Sequence, residues 1–257
     1  EIVAKKITEE QKTPISGSHV IMSCGAAGGL NALFRAILTP GSEVICPSPY
    51  FVEYGFYAGN FGGKLVPVPS KDFTFELDVD ALIAAVTPRT RAVILNSPHN
   101  PTGRVWERWE VERFTELCAK HDVFIVSDEI WSDIVRPGVV HTPTQSVSED
   151  AKNRTLALYA PSKTFNLAGL QISNIFVPNP ELRKKLLKEI AAAGYSQVGL
   201  MGLVACQAAY EEGTEWLAQL KAYLEENRKF VKAYLEEHLP EIRLIEPEGT
   251  YLLWLDF

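Results

Sequence analysis

From about residue 20 the chain switches repeatedly between apolar runs of strand length and stretches of helical periodicity. That alternation restricts it to beta-alpha units feeding a mostly parallel sheet. The strand-length runs lie at 43–46 (EVIC), 64–68 (KLVPV), 91–95 (RAVIL), 123–127 (VFIVS), 154–159 (RTLALY) and 173–177 (SNIFV). Leu30, Leu33, Phe34, Ile37 and Leu38 recur at the spacing of one helical face, which predicts a helix over 27–38. Further helices are predicted at 78–86 and 107–120, and after residue 180 at 180–193, 199–211 and 214–238, with Pro240 ending the last. The expected fold is a three-layer α/β/α arrangement around a mostly parallel sheet of six or seven strands, taken as seven. The closing IRLIEPEGTYLLWLDF predicts two short strands around a turn at Gly249. Residues 1–240 are therefore expected to form one large domain and 241–257 to begin a smaller, truncated one. The chain opens inside an amphipathic helix and stops after an apolar strand, so parent sequence is expected beyond both ends.

Charge and cysteine usage narrow the partners. Thirty-two acidic against 25 basic residues give a net charge of −7, with no dense run of Lys and Arg, and this excludes nucleic acid as an expected partner. No apolar run approaches the roughly 20 residues of a membrane span, and the charged N-terminus, EIVAKKITEEQK, is no signal peptide. Cys24, Cys46, Cys118 and Cys206 are far apart without a CxxC pair, which argues against zinc and a disulfide framework and for a reducing, cytoplasmic setting.

Polar landmarks gather where predicted strands end: Asn96 and Asn100 after AVIL, Asp128 after VFIVS, and Lys163 after LALY. In open α/β sheets that edge is where ligands bind. The small residues of SCGAAGGL, at 23–30, start a helix whose free N–H groups and positive dipole end suit a phosphate. Singly, each has an ordinary explanation. Gly25 to Gly29 fit a close-packed turn, Asp128 with Glu129 a helix cap or a solvated pair, Lys163 a surface lysine, and Asn100 before Pro101 turn chemistry. Their combination in this order is the informative feature.

Over nearly its whole length the sequence resembles the fold-type I pyridoxal-phosphate enzymes of the aminotransferase class I and II family. The resemblance is carried by the GAAGG loop, SPYFVEY at 48–54, NSPHNPTGRV at 96–105, SDEIW at 127–131 and APSKTFNLAGLQ at 160–171. It implies pyridoxal 5'-phosphate as cofactor, bonded to Lys163, which would also shuttle the substrate's alpha proton. Asp128 would pair with the pyridine nitrogen, and Asn100 would donate to the phenolic oxygen. Gly25, Ala26 and Ala27 would offer N–H groups to the phosphate, and Phe51, beside Tyr50, would stack on the ring. A small-molecule amino-acid substrate and a homodimer are implied as well.

The departures from the family pattern have a direction. Trp131 stands where aminotransferases carry a tyrosine; it can donate through its indole N–H but cannot ionise. Ala160 and Gln171 replace a serine and an arginine that serve the phosphate, leaving Ser162 as a weaker helper. SDEIWSD, APSKTFNLAGLQ and EGTYLLWLDF resemble the cystathionine beta-lyase-like carbon-sulfur lyase branch, whereas the first hundred residues resemble aspartate-type aminotransferases. The likeness changes near residues 95–105, as it would in a natural intermediate or in a recombinant. A carbon-sulfur beta-lyase is the first expectation and an aminotransferase the second. The third is a non-catalytic or regulatory module that kept the fold. The family's substrate-carboxylate arginine belongs to a region beyond residue 257, so the isolated chain is expected to bind cofactor and turn over poorly.

Overall fold

The structure, a computed structural model, describes residues 1–11, 15–71, 74–194 and 197–257; Lys12, the last residue of the charged N-terminal stretch, lies outside them. Helix α1 (Ile2–Gln11) precedes strand β1 (Val20–Cys24) and helix α2 (Gly25–Ile37). Strand β2 (Glu43–Ser48), α3 (Tyr54–Gly59), β3 (Lys64–Pro69), α4 (Val79–Ala84), β4 (Thr90–Asn96), α5 (Arg108–Lys120) and β5 (Phe124–Asp128) follow. Next come α6 (Glu149–Arg154), β6 (Thr155–Tyr159), the one-turn α7 (Pro161–Thr164) and β7 (Ile172–Phe176). The chain then becomes helical, with α8 (Pro180–Ala192), α9 (Leu200–Glu212) and α10 (Thr214–His238), before β8 (Arg243–Ile245) and β9 (Trp254–Asp256).

Seven strands form one sheet in the order β1-β7-β6-β5-β4-β2-β3. β2, β3, β4, β5 and β6 run parallel, and β7 is antiparallel to both β1 and β6. Strand β1 and the short helices α3 and α6 carry no distinct run or periodicity in the sequence, and they are additions to the expected elements.

Period-two alternation sorts the strand side chains between two apolar layers. Val44, Cys46, Ala92, Ile94 and Val126 pack with Leu30, Leu33 and Phe34 of α2 and with Leu182 and Leu186 of α8. Ile45, Val93, Leu95 and Ile125 turn the other way, onto Leu82 of α4 and Val111, Phe114 and Cys118 of α5. Burying a side chain such as Phe34 or Phe114 stabilises the fold by about 1.5–3 kcal/mol. Helices on both faces make this the expected three-layer α/β/α fold. The same alternation fixes which face each residue at the strand ends presents.

β8 and β9 pair only with each other, in a separate antiparallel ribbon. The segment between them is nevertheless bonded to the main body. The N–H groups of Glu248 and Gly249 both donate to the Gly103 carbonyl, and Thr250 N–H donates to Ile134 O at 2.8 Å. The Glu248 carboxylate accepts from Arg104 Nη1 at 2.5 Å and from Val105 N–H at 2.9 Å.

Candidate active site

Strands β4, β5 and β6 deliver their carboxyl ends side by side, which brings Asn96, Asp128 and the Lys163 turn to one edge of the sheet. Asn96 and Asp128 are the last residues of their strands. At this edge lies a cleft of about 340 Å³ lined by Gly25, Ala26, Ala27, Phe51, Asn100, Asp128, Trp131, Ser162 and Lys163. The residues read from the sequence as cofactor-binding therefore meet in one place, while Asn96 is buried beside the cleft rather than lining it. Gln171, which stands where family members carry a phosphate-binding arginine, lines it too, as do Cys24, Leu30, Glu53 and Tyr57, which the sequence did not single out for the site's chemistry.

Helix α2 points its N-terminus into the cleft. Its cap residue, Cys24, makes no side-chain capping bond, so the first-turn N–H groups lack acceptors within the helix. Gly25 has φ +66°, a left-handed conformation that glycine adopts without a Cβ penalty, and its N–H donates to Gln171 O at 3.0 Å. Cys24 Sγ donates to Gln171 Oε1 at 3.3 Å. Lys163 is the only lysine or arginine lining the cleft among the described residues.

Asp128 faces the α2 side of the sheet and is buried. Its Oδ2 accepts from Tyr54 O–H at 2.6 Å and its Oδ1 from Ile130 N–H at 3.3 Å. Burial pushes the carboxyl pKa up, against the lowering influence of the Tyr54 and Ile130 donors and the Lys163 charge. Burial also raises the Tyr54 phenol, so Tyr54 is a lasting donor rather than a base. Tyr54 lies within the SPYFVEY stretch, yet no local signal marks it as the partner of a residue 74 positions away.

Glu129, next in the chain, points to the opposite face and is fully buried. It accepts from Ser127 O–H at 2.9 Å, from Thr144 N–H at 3.1 Å and from Tyr159 O–H, and lies 2.7 Å from His141 Nε2. The pair is thus neither a helix cap nor solvated.

Asn96 Nδ2 donates to the Asp128 carbonyl at 2.8 Å, and Asn96 Oδ1 accepts the Asn100 N–H at 2.7 Å, which ties the HNPTG turn to the strand carrying Asp128. Lys163 Nζ lies 5.5 Å from the centre of the Trp131 ring, a cation–π arrangement. Tyr251, from the segment before β9, meets Trp131 edge-on at 4.5 Å.

A buried carboxylate, an amine and a helix N-terminus without a side-chain cap thus meet on one sheet edge, an arrangement that can hold a small anionic ligand. The family model described as aminotransferase class I and II matches residues 1–257. The chain belongs to this family. Among curated members, it is 34% identical over 246 residues to cystathionine beta-lyase PatB of Bacillus subtilis, covering 95% of this chain and 64% of that protein. It is 31% identical over 260 residues to the probable aspartate/prephenate aminotransferase of Aquifex aeolicus, covering 100% of this chain and 65% of that protein. The chain therefore spans somewhat under two thirds of the length of these family members. Among solved structures it is similar to cystalysin from Treponema denticola, which contains a pyridoxal 5'-phosphate cofactor, with a TM-score of 0.96 and 32% identity over 100% of this chain and 66% of that one. Family members named as lyases and as aminotransferases thus align with the same residues.

Proposed function

We propose that the cleft binds pyridoxal 5'-phosphate and that the protein to which this chain belongs is a carbon-sulfur beta-lyase acting on an amino acid. The observation that carries the reading is the meeting of Lys163, buried Asp128 and the uncapped N-terminus of α2 in one cleft. These residues fit the cofactor. The N–H groups of Ala26 and Ala27, with the Ser162 hydroxyl, would hold its phosphate in place of a strong cation. Gly25, read from the sequence as a third donor, has its N–H committed to Gln171 O and shapes the turn instead. Asp128 would hold a proton at the ring nitrogen, Asn100 would serve the phenolic oxygen, and Phe51 would cover the ring. Lys163 would bond to the cofactor and, when released, take and return the proton at the substrate Cα.

When bound, pyridoxal phosphate supplies an electron sink for the negative charge left at Cα. In the lyase reading, Lys163 would remove the Cα proton of cystathionine or a cysteine conjugate, and the Cβ–S bond would break with the sulfur leaving as a thiol once protonated. One water would hydrolyse the remaining enamine to pyruvate and ammonia. Trp131 lies in SDEIWSD, one of the stretches whose likeness to the lyase branch supports this reading. Its packing against Tyr251 joins two sequence stretches of lyase likeness. The likeness of residues 1–100 to aspartate-type enzymes favours the alternative, an aminotransferase in which the proton is returned and a keto acid completes the cycle. Pyruvate release from cystathionine in the absence of any keto acid would support the lyase; strict dependence on a keto acid would overturn it. A folded chain that takes up no cofactor would leave the non-catalytic module.

The reading extends to organisation. Residues 1–240 would form the cofactor-binding domain and 241–257 the start of a smaller domain, a division supported by the separate β8–β9 ribbon. A homodimer working in the cytoplasm is in keeping with exposed Leu200, Met201 and Val204 on α9 and with four free cysteines. No described helix is long and apolar enough to cross a membrane.

A further inference from the structure

The turn that carries Lys163 is held from two sides by residues outside the cleft. Thr164, fully buried and next to Lys163, donates from Oγ1 to Asp133 Oδ2 at 2.8 Å. The other oxygen of Asp133 accepts from Lys6 Nζ on α1 at 2.6 Å. On the far side, the Phe165 ring meets Tyr210 of α9 at 6.0 Å and Trp216 of α10 at 5.8 Å. Between those helices a Cβ on Gly213 would stand 2.4 Å from Phe165 Cε1, so the ring is pressed against bare backbone. Lys6 Nζ also lies 5.4 Å from the centre of the Tyr210 ring, so Lys6, Asp133, Thr164, Phe165 and Tyr210 form a closed circuit. The circuit borders a hollow of about 600 Å³.

We propose that Asp133 is a positioning residue for Lys163, fixing its turn through Thr164 while being fixed itself by Lys6. Asp133 lies two residues after Trp131, so one short segment supplies both the ring beneath the Lys163 ammonium and the anchor of the lysine's own turn. A single-turn helix cannot hold its own geometry, because nucleation fixes several residues for one hydrogen bond, and its order must come from such tertiary contacts. The side-chain bond from Thr164 supplies that order at the residue beside the amine. The consequence for the chemistry rests on the assignment of Lys163 as the cofactor-binding amine.

The test uses Thr164→Val, which keeps shape and removes the donor, with Thr164→Ser as the conservative rescue and Asp133→Asn as a second disruption. Hydrogen exchange of residues 162–167 in the cofactor-free chain is read beside that of β5. The rate at which added pyridoxal phosphate produces a Lys163-dependent absorbance band is measured separately. Thr164→Val is expected to speed exchange in 162–167 by about tenfold, the equivalent of one buried hydrogen bond, with β5 unchanged. It should slow band formation by a similar factor, and Thr164→Ser should restore both. Wild-type exchange in Thr164→Val and Asp133→Asn, or equal acceleration in β5, would overturn the positioning role. Failure of wild-type protein to form any band would instead count against the cofactor assignment, and the exchange comparison would still decide what Asp133 does.

Discussion

Asp128 and Glu129 are neighbours with the same chemistry and opposite surroundings. Asp128, on the α2 side, has two protein donors and lines the cleft; Glu129, behind the sheet, is enclosed by three hydrogen-bond donors and the His141 ring. The HNPTG turn repeats the contrast. Asn100 lines the cleft, whereas His99 is buried, bonded to Thr102 Oγ1 at 2.7 Å and packed on Trp106. At each strand end one residue is satisfied by the protein and holds the backbone, while its neighbour keeps bonding capacity for a ligand. For Asp128 and Glu129 the difference comes from strand alternation, which turns successive side chains to opposite faces; His99 and Asn100 lie beyond the end of β4, in the turn.

The contrast can be broken most directly at the carboxylates. In the protein to which this chain belongs, Asp128→Asn is expected to lower pyruvate release by about 10³-fold, because the amide cannot hold a proton on the ring nitrogen. The same change should stabilise the cofactor-free chain at neutral pH. Burial raises the folded pKa of Asp128 above its ordinary 3.8, so the folded state binds the proton more tightly. Stability therefore falls as pH rises from the unfolded value through the folded one, and the asparagine variant should lose that dependence in urea titrations at several pH values. Glu129→Leu should act in the opposite direction, lowering the unfolding free energy read from urea titration by about 3 kcal/mol by leaving buried donors without an acceptor. If both substitutions shifted stability the same way, the contrast between the two carboxylates would fail.

Smaller changes sharpen it. Tyr54→Phe should cost about 1.5 kcal/mol, as expected for a hydrogen bond to a charged group. Its donor lowers the Asp128 pKa, so its loss should move the pH profile of cofactor absorbance upward. At His99, burial holds the imidazole pKa down at about 4, below its ordinary 6.5. The unfolded state binds the extra proton in that window, so stability present above pH 6.5 is lost as pH falls toward 4. Between pH 6.5 and 5.5 the loss should be about 1 kcal/mol, and His99→Gln should abolish it.

Much of this was legible in the sequence because apolar runs and helical spacing are local signals. The runs at 91–95, 123–127 and 154–159 became β4, β5 and β6, and their ends brought Asn96, Asp128 and Lys163 together. Strand β1 was not legible, since VIMSC is only five residues long and shows no alternation of apolar and polar residues. Nor was the reversal of β7, because a strand's alternation is the same in either direction. The partners of the site residues were hidden for another reason: Tyr54 reaches Asp128 across 74 positions and Thr164 reaches Asp133 across 31, and pairings of that range depend on the finished fold. Glu129 was the clearest case, since a carboxylate beside a carboxylate suggests water until the alternation is known.

The most direct test of the account is the visible absorbance of the purified chain after pyridoxal phosphate is added and the sample dialysed, beside a Lys163→Ala control. The account predicts a band that survives dialysis, disappears on borohydride reduction and is missing in the control. A folded wild-type sample without the band, or an equal band in the control, would contradict the assignment of Lys163 and of the cofactor together.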